Sequence, residues 1–519
     1  MSSRHSVSLE EKEKASVGDS TDAVELTGRP DDAAIVKSYG RFGPIVERLF
    51  AHGVEMRGVE RVLEHERSTK NQYNNFLMWC SVNCVLTTIP IGILAQEYYT
   101  LTLPHAIATI MCFGALGALT VAFTSTLGPK TGLRTMIITR YSSGYAGGII
   151  YSILNILTQL GFSVTAVILG GETLASINPG TLPLVVGIII VAVCSLVPCF
   201  IGYEMVHIYE RYAWIIMSIV MLFLWGLGGH AGFDIKTQKV HEDTGRALSS
   251  NILSFGGIIF GSFSGWAPVA ADYNCRLPAE TSSVKVFLLT FFGLFIPICF
   301  VEILGAALMT IGDPAFADVI EAGDTGGILS QTLSPWKGGG KFILVLLAFS
   351  VVANNIPNTY SAGISVQALG RPFAAVPRFI WVFLAFVTYT VAGVAGREHF
   401  SAILSNFLSI LSYWTAFFIV IVAEEHFIFR RKNGPLGGYN LDDYDTPSKL
   451  PLGVAGILAG CCGVAGAVIG MCQVWYTGPL GKAAGTPTYG ADLGFELAAG
   501  FAAVTFPPLR WLEIHFTGR

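Results

Sequence analysis

Twelve apolar runs recur along this chain, at about 75–98, 102–127, 143–175, 180–203, 208–229, 251–272, 283–311, 341–369, 377–395, 399–428, 451–476 and 490–508. Each is long enough to cross a hydrocarbon layer as a helix. No water is present in lipid to satisfy backbone N–H and C=O groups, so a continuous apolar run of this length is stable there as a helix. The pattern predicts an all-α polytopic membrane protein with 12 transmembrane helices. Composition agrees: 13% of the residues are charged, about half the usual share for soluble domains. Mean hydropathy is +0.57. The 58 glycines suit close approach of helices inside a bilayer.

The remainder of the chain divides around these runs. Residues 1–70 read as a cytoplasmic N-terminal tail, disordered over 1–35, with short amphipathic juxtamembrane helices over 39–70. Their polarity argues against a cleavable signal peptide. Placing the N-terminus inside puts Arg57, Arg61, Arg67, Lys70, Lys130, Arg134, Arg140, Arg371, Arg378 and Arg430 on the inner face, with fewer Lys and Arg outside. That asymmetry predicts both termini in the cytoplasm. Most cysteines fall inside apolar runs without metal-ligand spacing, so neither a metal site nor a disulfide framework is expected. HExxH and GxSxG are absent, and Lys337–Lys341 lacks the Gly-Lys-Ser/Thr ending of a phosphate loop. No enzyme is indicated.

Two runs are interrupted at matching places. In the first, Ser81 and Asn83 are followed by Pro90 and Gly92. In the sixth, Gly256, Gly257, Gly261 and the stretch Ser262–Trp266 precede Pro268. These runs are five apart, and paired broken helices mark inverted-repeat transporters. The reading divides the chain into a first five-helix repeat over 71–229, a second over 250–429, and helices 11 and 12 with a short cytoplasmic C-terminus over 450–519.

The eighth run carries Asn354, Asn355, Pro357 and Asn358 at mid-depth. Polar groups there are costly and usually line a cavity or a path. Neutral carboxamides offer donors and acceptors without charge, which suits a small, polar, uncharged ligand. Pro357 removes a helical hydrogen bond, so an irregular span is expected. Trp266 and Phe162 offer faces for stacking a planar heterocycle, and Asn83 could read an amide-like edge. The plain alternatives are packing for the two aromatics and an interhelical hydrogen bond for Asn83. Glu172, Glu204, Glu210, Asp272 and Glu302 are the buried carboxyl candidates for proton coupling. For Glu204 and Glu210, a position near a helix N-terminus is the simpler alternative.

The stretches GPKTGLRTMIITRYSSG (128–144), HIYERYAW (207–214), SGWAPVAADY (264–273), ANNIPNTYSAG (353–363) and YNLDDYDTP (439–447) resemble the fungal purine–cytosine permeases of the nucleobase–cation symporter family 1. The resemblance covers about residues 55–515. It implies a LeuT-type 5+5 inverted repeat with two extra C-terminal helices, in the plasma membrane. It implies import of cytosine, adenine, guanine and hypoxanthine coupled to protons, without cofactor, metal or nucleic acid. By the same resemblance the base is held by Trp266, by Asn354, Asn355, Pro357 and Asn358, and by Ser81 and Asn83, with Glu210 in proton coupling. Phe162 stands where related permeases can carry Trp. A nucleoside, allantoin or a vitamin is the alternative solute within the same fold.

Overall fold

The computed structural model describes residues 43, 58–67, 72–200, 203–240, 242–486 and 488–519, with side chains described outside 199–212. Most of residues 1–70, including the expected tail and most of the amphipathic segment, lie outside these. Among the described residues the chain is helical, apart from one antiparallel pair, Cys472–Gln473 with Tyr476–Thr477.

Among the described residues, eight helices are long and apolar enough to cross a membrane, and a bent pair makes a ninth. They coincide with the first, second, third and fifth to tenth runs, here called spans by run number. Three runs differ. The fourth forms a helix of 13 residues, Leu184–Leu196, begun by Pro183 and followed by a 3-10 turn. The eleventh stops at Gly470 after 17 residues, where the expected span to 476 gives way to the β pair. The twelfth, Gly494–Thr517, is long enough, but Glu496, Pro507, Pro508, Arg510 and Glu513 dilute its apolarity.

Large apolar side chains on the spans stay exposed, such as Leu157 at 60% and Val391 at 65%. Sites of this kind face hydrocarbon in a membrane-spanning chain and carry no penalty there. Polar side chains turn inward instead: Asn155, Thr158, Gln159, Asn355 and Glu302 are all buried.

Span one is broken as expected. Helix Tyr73–Asn83 meets Leu86–Glu97 at 66°. Span six runs as an α-helix from Gly245 to Ser264 and continues as a 3-10 helix over Ala267–Tyr273. Span eight departs from expectation. It is one helix, Gly338–Gln367, passing through Pro357 without a break. Neighbours hold its course on two sides. Val351 packs where a Cβ on Gly170 of span three would lie 3.1 Å away, and Asn354 bonds to span one.

Close backbone contact fixes how span seven (Ser283–Leu308) meets the second half of span one. A Cβ on Gly92 would lie 1.8 Å from the Glu302 carbonyl oxygen, and one on Gly305 would lie 2.0 Å from that of Ile89. Only glycine fits at either place.

The segment 431–450 lies across one end of the bundle. Arg140 Nη1 meets Asp445 Oδ1 at 2.8 Å and Arg61 Nη1 meets Asp442 Oδ1 at 3.4 Å. The Tyr141 hydroxyl donates to the Asn440 carbonyl. Beneath it Glu425 accepts from both Arg430 and Arg510, and Arg510 also pairs with Glu513. This network explains the acidic YNLDDYDTP stretch as an anchor for arginines of several elements.

Candidate functional site

The break in span one comes first, because everything else is arranged around it. Val85 is extended, with φ −140° and ψ 167°. The Leu86 N–H and the Val82 carbonyl, partners in an unbroken helix, are therefore parted. Each finds a substitute on span eight. Leu86 N–H donates to Ser350 Oγ at 3.0 Å, and Asn354 Nδ2 donates to the Val82 carbonyl at 2.8 Å. Residues 350 and 354 are spaced i, i+4 and so share a helix face. Two side chains of span eight thus stand in for the missing bond of span one. Asn358 Nδ2 in turn donates to Asn354 Oδ1 at 3.1 Å. Around the same break, Asn83 Nδ2 donates to the Trp79 carbonyl and Thr88 Oγ1 to the Asn83 carbonyl.

Span six supplies the aromatic wall. Trp266 is 3% exposed and meets Trp79 edge-on at 5.7 Å. Phe162 of span three lies parallel to it, with ring centroids 6.1 Å apart and planes 11° from parallel. Gly265 makes room, since a Cβ there would lie 2.9 Å from the Phe162 ring. Ser264 bonds Thr415 of span ten at 2.7 Å and pins this part of the break.

Between these elements lies a cavity of about 30 Å³, lined by Asn83, Thr88, Phe162, Thr165, Ser262, Trp266, Glu302 and Asn354 among others. That is room for a water or two, against roughly 300–1,000 Å³ for ordinary ligand pockets. The walls must part before a heterocycle enters. A larger cavity, about 700 Å³, lies by the Ser176 end of span three. Glu97, Glu172, Asp324, Arg397, Glu398 and His399 line it, together with other residues. Its charged walls suit water and ions better than an uncharged base.

Of the residues singled out in the sequence, Asn83, Phe162, Trp266 and Asn354 come together on the small cavity, and the carboxyl candidate Glu302 joins them. The other four of span one and span eight do not line it. Ser81 accepts from the Trp214 N–H of span five at 3.2 Å. It is two residues from Asn83 and so faces the other way on the helix. Asn355 is fully buried with neither its Nδ2 nor its Oδ1 partnered. It shares a face with Val351, toward span three. Pro357 does not open the backbone, and Asn358 stands behind Asn354. The Glu210 and Glu204 side chains lie outside the described residues. Asp272 is occupied elsewhere, accepting from the N–H and hydroxyl of Thr135, which begins the short helix Thr135–Ile138 before span three.

One participant escaped the sequence reading: Ser350, recoverable from its i, i+4 relation to Asn354. Ser262 and Glu302 were both singled out, but their pairing at 2.8 Å was not, because only packing joins spans six and seven.

Comparison with known proteins follows this geometry. A family model described as permease for cytosine/purines, uracil, thiamine, allantoin matches residues 62–480. The purine-cytosine permease fcyB of Emericella nidulans is 38% identical over 91% of this chain and 92% of its own length. The purine-cytosine permease FCY21 of Saccharomyces cerevisiae is 34% identical over 90% of this chain and 88% of its own. Among solved structures, Mhp1, a nucleobase-cation-symport-1 family transporter, in a closed conformation with bromovinylhydantoin bound, superposes with a TM-score of 0.63. That match covers 89% of this chain and 95% of the other at 14% identity, which establishes a shared fold. Membership in a permease family accounts for the absence of an enzyme motif. The chain belongs to the family of permeases for cytosine/purines, uracil, thiamine and allantoin.

Proposed function

We propose that this chain is a proton-coupled symporter that imports cytosine and the purine bases adenine, guanine and hypoxanthine by alternating access. The observation that carries the reading is the near-parallel Trp266–Phe162 pair at the edge of a cavity to which Asn83 and Asn354 bring uncharged amides. Stacking recognises any planar heterocycle, and amides read its edge without demanding charge. The fcyB and FCY21 relatives, named purine-cytosine permeases, support the same class of solute.

In this reading twelve spans form two five-helix repeats and a C-terminal pair, in the plasma membrane with both termini cytoplasmic. The Lys and Arg asymmetry supports that orientation. Trp266 and Phe162 clamp the base. Asn83 and the second N–H of Asn354 bond its edge, while Asn355 offers an unpartnered amide once spans three and eight part. Asn358 positions Asn354. Ser81 and Pro357 act on the backbone of their spans rather than on the base. Glu210 remains a candidate for coupling.

Uptake of labelled cytosine and adenine in permease-deficient cells at two pH values tests this. Saturable uptake, faster at acid pH and abolished by a protonophore, is expected. Uptake indifferent to both would remove proton coupling. Competition by unlabelled allantoin, nucleosides or thiamine, with cytosine ineffective, would transfer the site to another solute.

A further inference from the structure

Glu302 sits where span seven touches both broken helices. Its backbone carbonyl is pressed against Gly92 of span one, and its side chain reaches Ser262 of span six. The carboxyl is fully buried and lines the small cavity. One oxygen, Oε1, lies 2.8 Å from Ser262 Oγ, while Oε2 has no partner. Spans one, two and six and the described part of span five present no charged group to it. Its titratable neighbour is the Cys299 thiol, one turn earlier on its own helix.

Counting hydrogens decides which form of the acid this arrangement holds. Ser262 Oγ is within bonding distance of two acceptors, Glu302 Oε1 at 2.8 Å and the Ile259 carbonyl at 2.9 Å. A serine hydroxyl has one hydrogen to donate. If Glu302 is ionised, both contacts compete for that hydrogen, and a charge without a counter-ion stays buried, which is strongly unfavourable. If Glu302 is protonated, its O–H donates to Ser262 Oγ and the serine donates to Ile259. The chain is then complete, and no charge is enclosed.

We propose that Glu302 carries the co-transported proton, and that the site closes around a base only with this carboxyl protonated. The proposal rests on the nucleobase reading above. The step is an acid–base exchange alone. With the cavity open to one side, the carboxylate takes a proton from water, forming an O–H bond. With it open to the other side, the proton returns to water and the charge draws solvent in. Ser262 and Trp266 are one turn apart on span six, so the hydrogen-bond chain and the base share one wall. A neutral acid lets that wall pack, and an ionised one holds it apart.

The test uses the full-length chain in permease-deficient cells and in vesicles, with labelled cytosine as probe and medium pH as a second readout. In the unaltered protein, uptake at low base concentration falls by up to about tenfold per pH unit at alkaline pH, the limiting slope for one bound proton. Cytosine entry alkalinises the medium. Glu302→Gln, which mimics the neutral acid, is expected to flatten that profile and abolish alkalinisation. It should still exchange external labelled cytosine for internal unlabelled base. A Glu302→Gln profile and proton influx equal to the unaltered protein's would overturn the proposal and leave the nucleobase reading standing. If the unaltered protein moves no base at all, the nucleobase reading itself fails. Should Glu302→Gln not reach the membrane, Ser262→Ala decides. Loss of the hydrogen-bond chain must displace the pH profile, and an unmoved profile refutes the role of Glu302.

Discussion

Removing Ser350 or Asn354 separates a brace from a ligand contact. Ser350→Ala leaves the Leu86 N–H without a partner, and Leu86 is fully buried. Asn354→Ala leaves both the Val82 carbonyl and Asn358 Nδ2 without theirs. Each orphaned buried group costs about 1–3 kcal/mol. A central loss of about 2 kcal/mol for Ser350→Ala, falling wholly on the state with span one broken, lowers uptake roughly 30-fold. Asn354→Ala costs about 2–6 kcal/mol by the same count, before any contact with the base is added. Both side chains act on one missing hydrogen bond, so the double variant should cost less than the sum, with coupling of about 0.5–3 kcal/mol. The assay is labelled-cytosine uptake at fixed surface expression, paired with thermal unfolding of the purified protein in detergent. Ser350 does not line the cavity. A silent Ser350→Ala beside a damaging Asn354→Ala would therefore refute the brace and assign Asn354 to the base alone.

Other outcomes follow from separate parts of the structure. Trp266→Ala should raise KM for cytosine by about 5- to 150-fold, the equivalent of roughly 1–3 kcal/mol of stacking, while Trp266→Phe retains most of the affinity; equilibrium binding checks both. Gly92→Ala and Gly305→Ala each drive a methyl into backbone 1.8 and 2.0 Å away, so neither should give a monodisperse peak on gel filtration. Asp445 is 39% exposed beside Arg140, so Asp445→Asn should cost no more than about 1 kcal/mol. Glu425 is 2% exposed between two arginines, and Glu425→Gln should cost about 3–5 kcal/mol. Thermal melts of the two variants rank them directly.

How legible the site was depended on whether its cause was local. The break in span one was visible as Ser81, Asn83, Pro90 and Gly92 in an apolar run, and Trp266 as an aromatic beside small residues. Phe162 was singled out as an aromatic face midway along its run, and the structure sets it parallel to Trp266. The irregularity expected at Pro357 was misplaced. A proline removes one hydrogen bond, yet packing against spans one and three keeps the helix of span eight continuous. Ser81 lies off the small cavity and meets span five instead, because polarity near a break says nothing about which neighbour a helix face meets.

The sequence by itself determined that this chain builds membrane helices and where most of them run. Hydrocarbon leaves a long apolar segment few other ways to satisfy its backbone, and that constraint is local. Tertiary structure alone decided which polar groups of the site meet. The brace joins Leu86 to Ser350 and Val82 to Asn354 across 264 and 272 residues, and Ser262 meets Glu302 across 40. Such pairs depend on the rotation and depth of each packed span, which glycine contacts such as Gly92 with Glu302 fix and which no periodicity along the chain records.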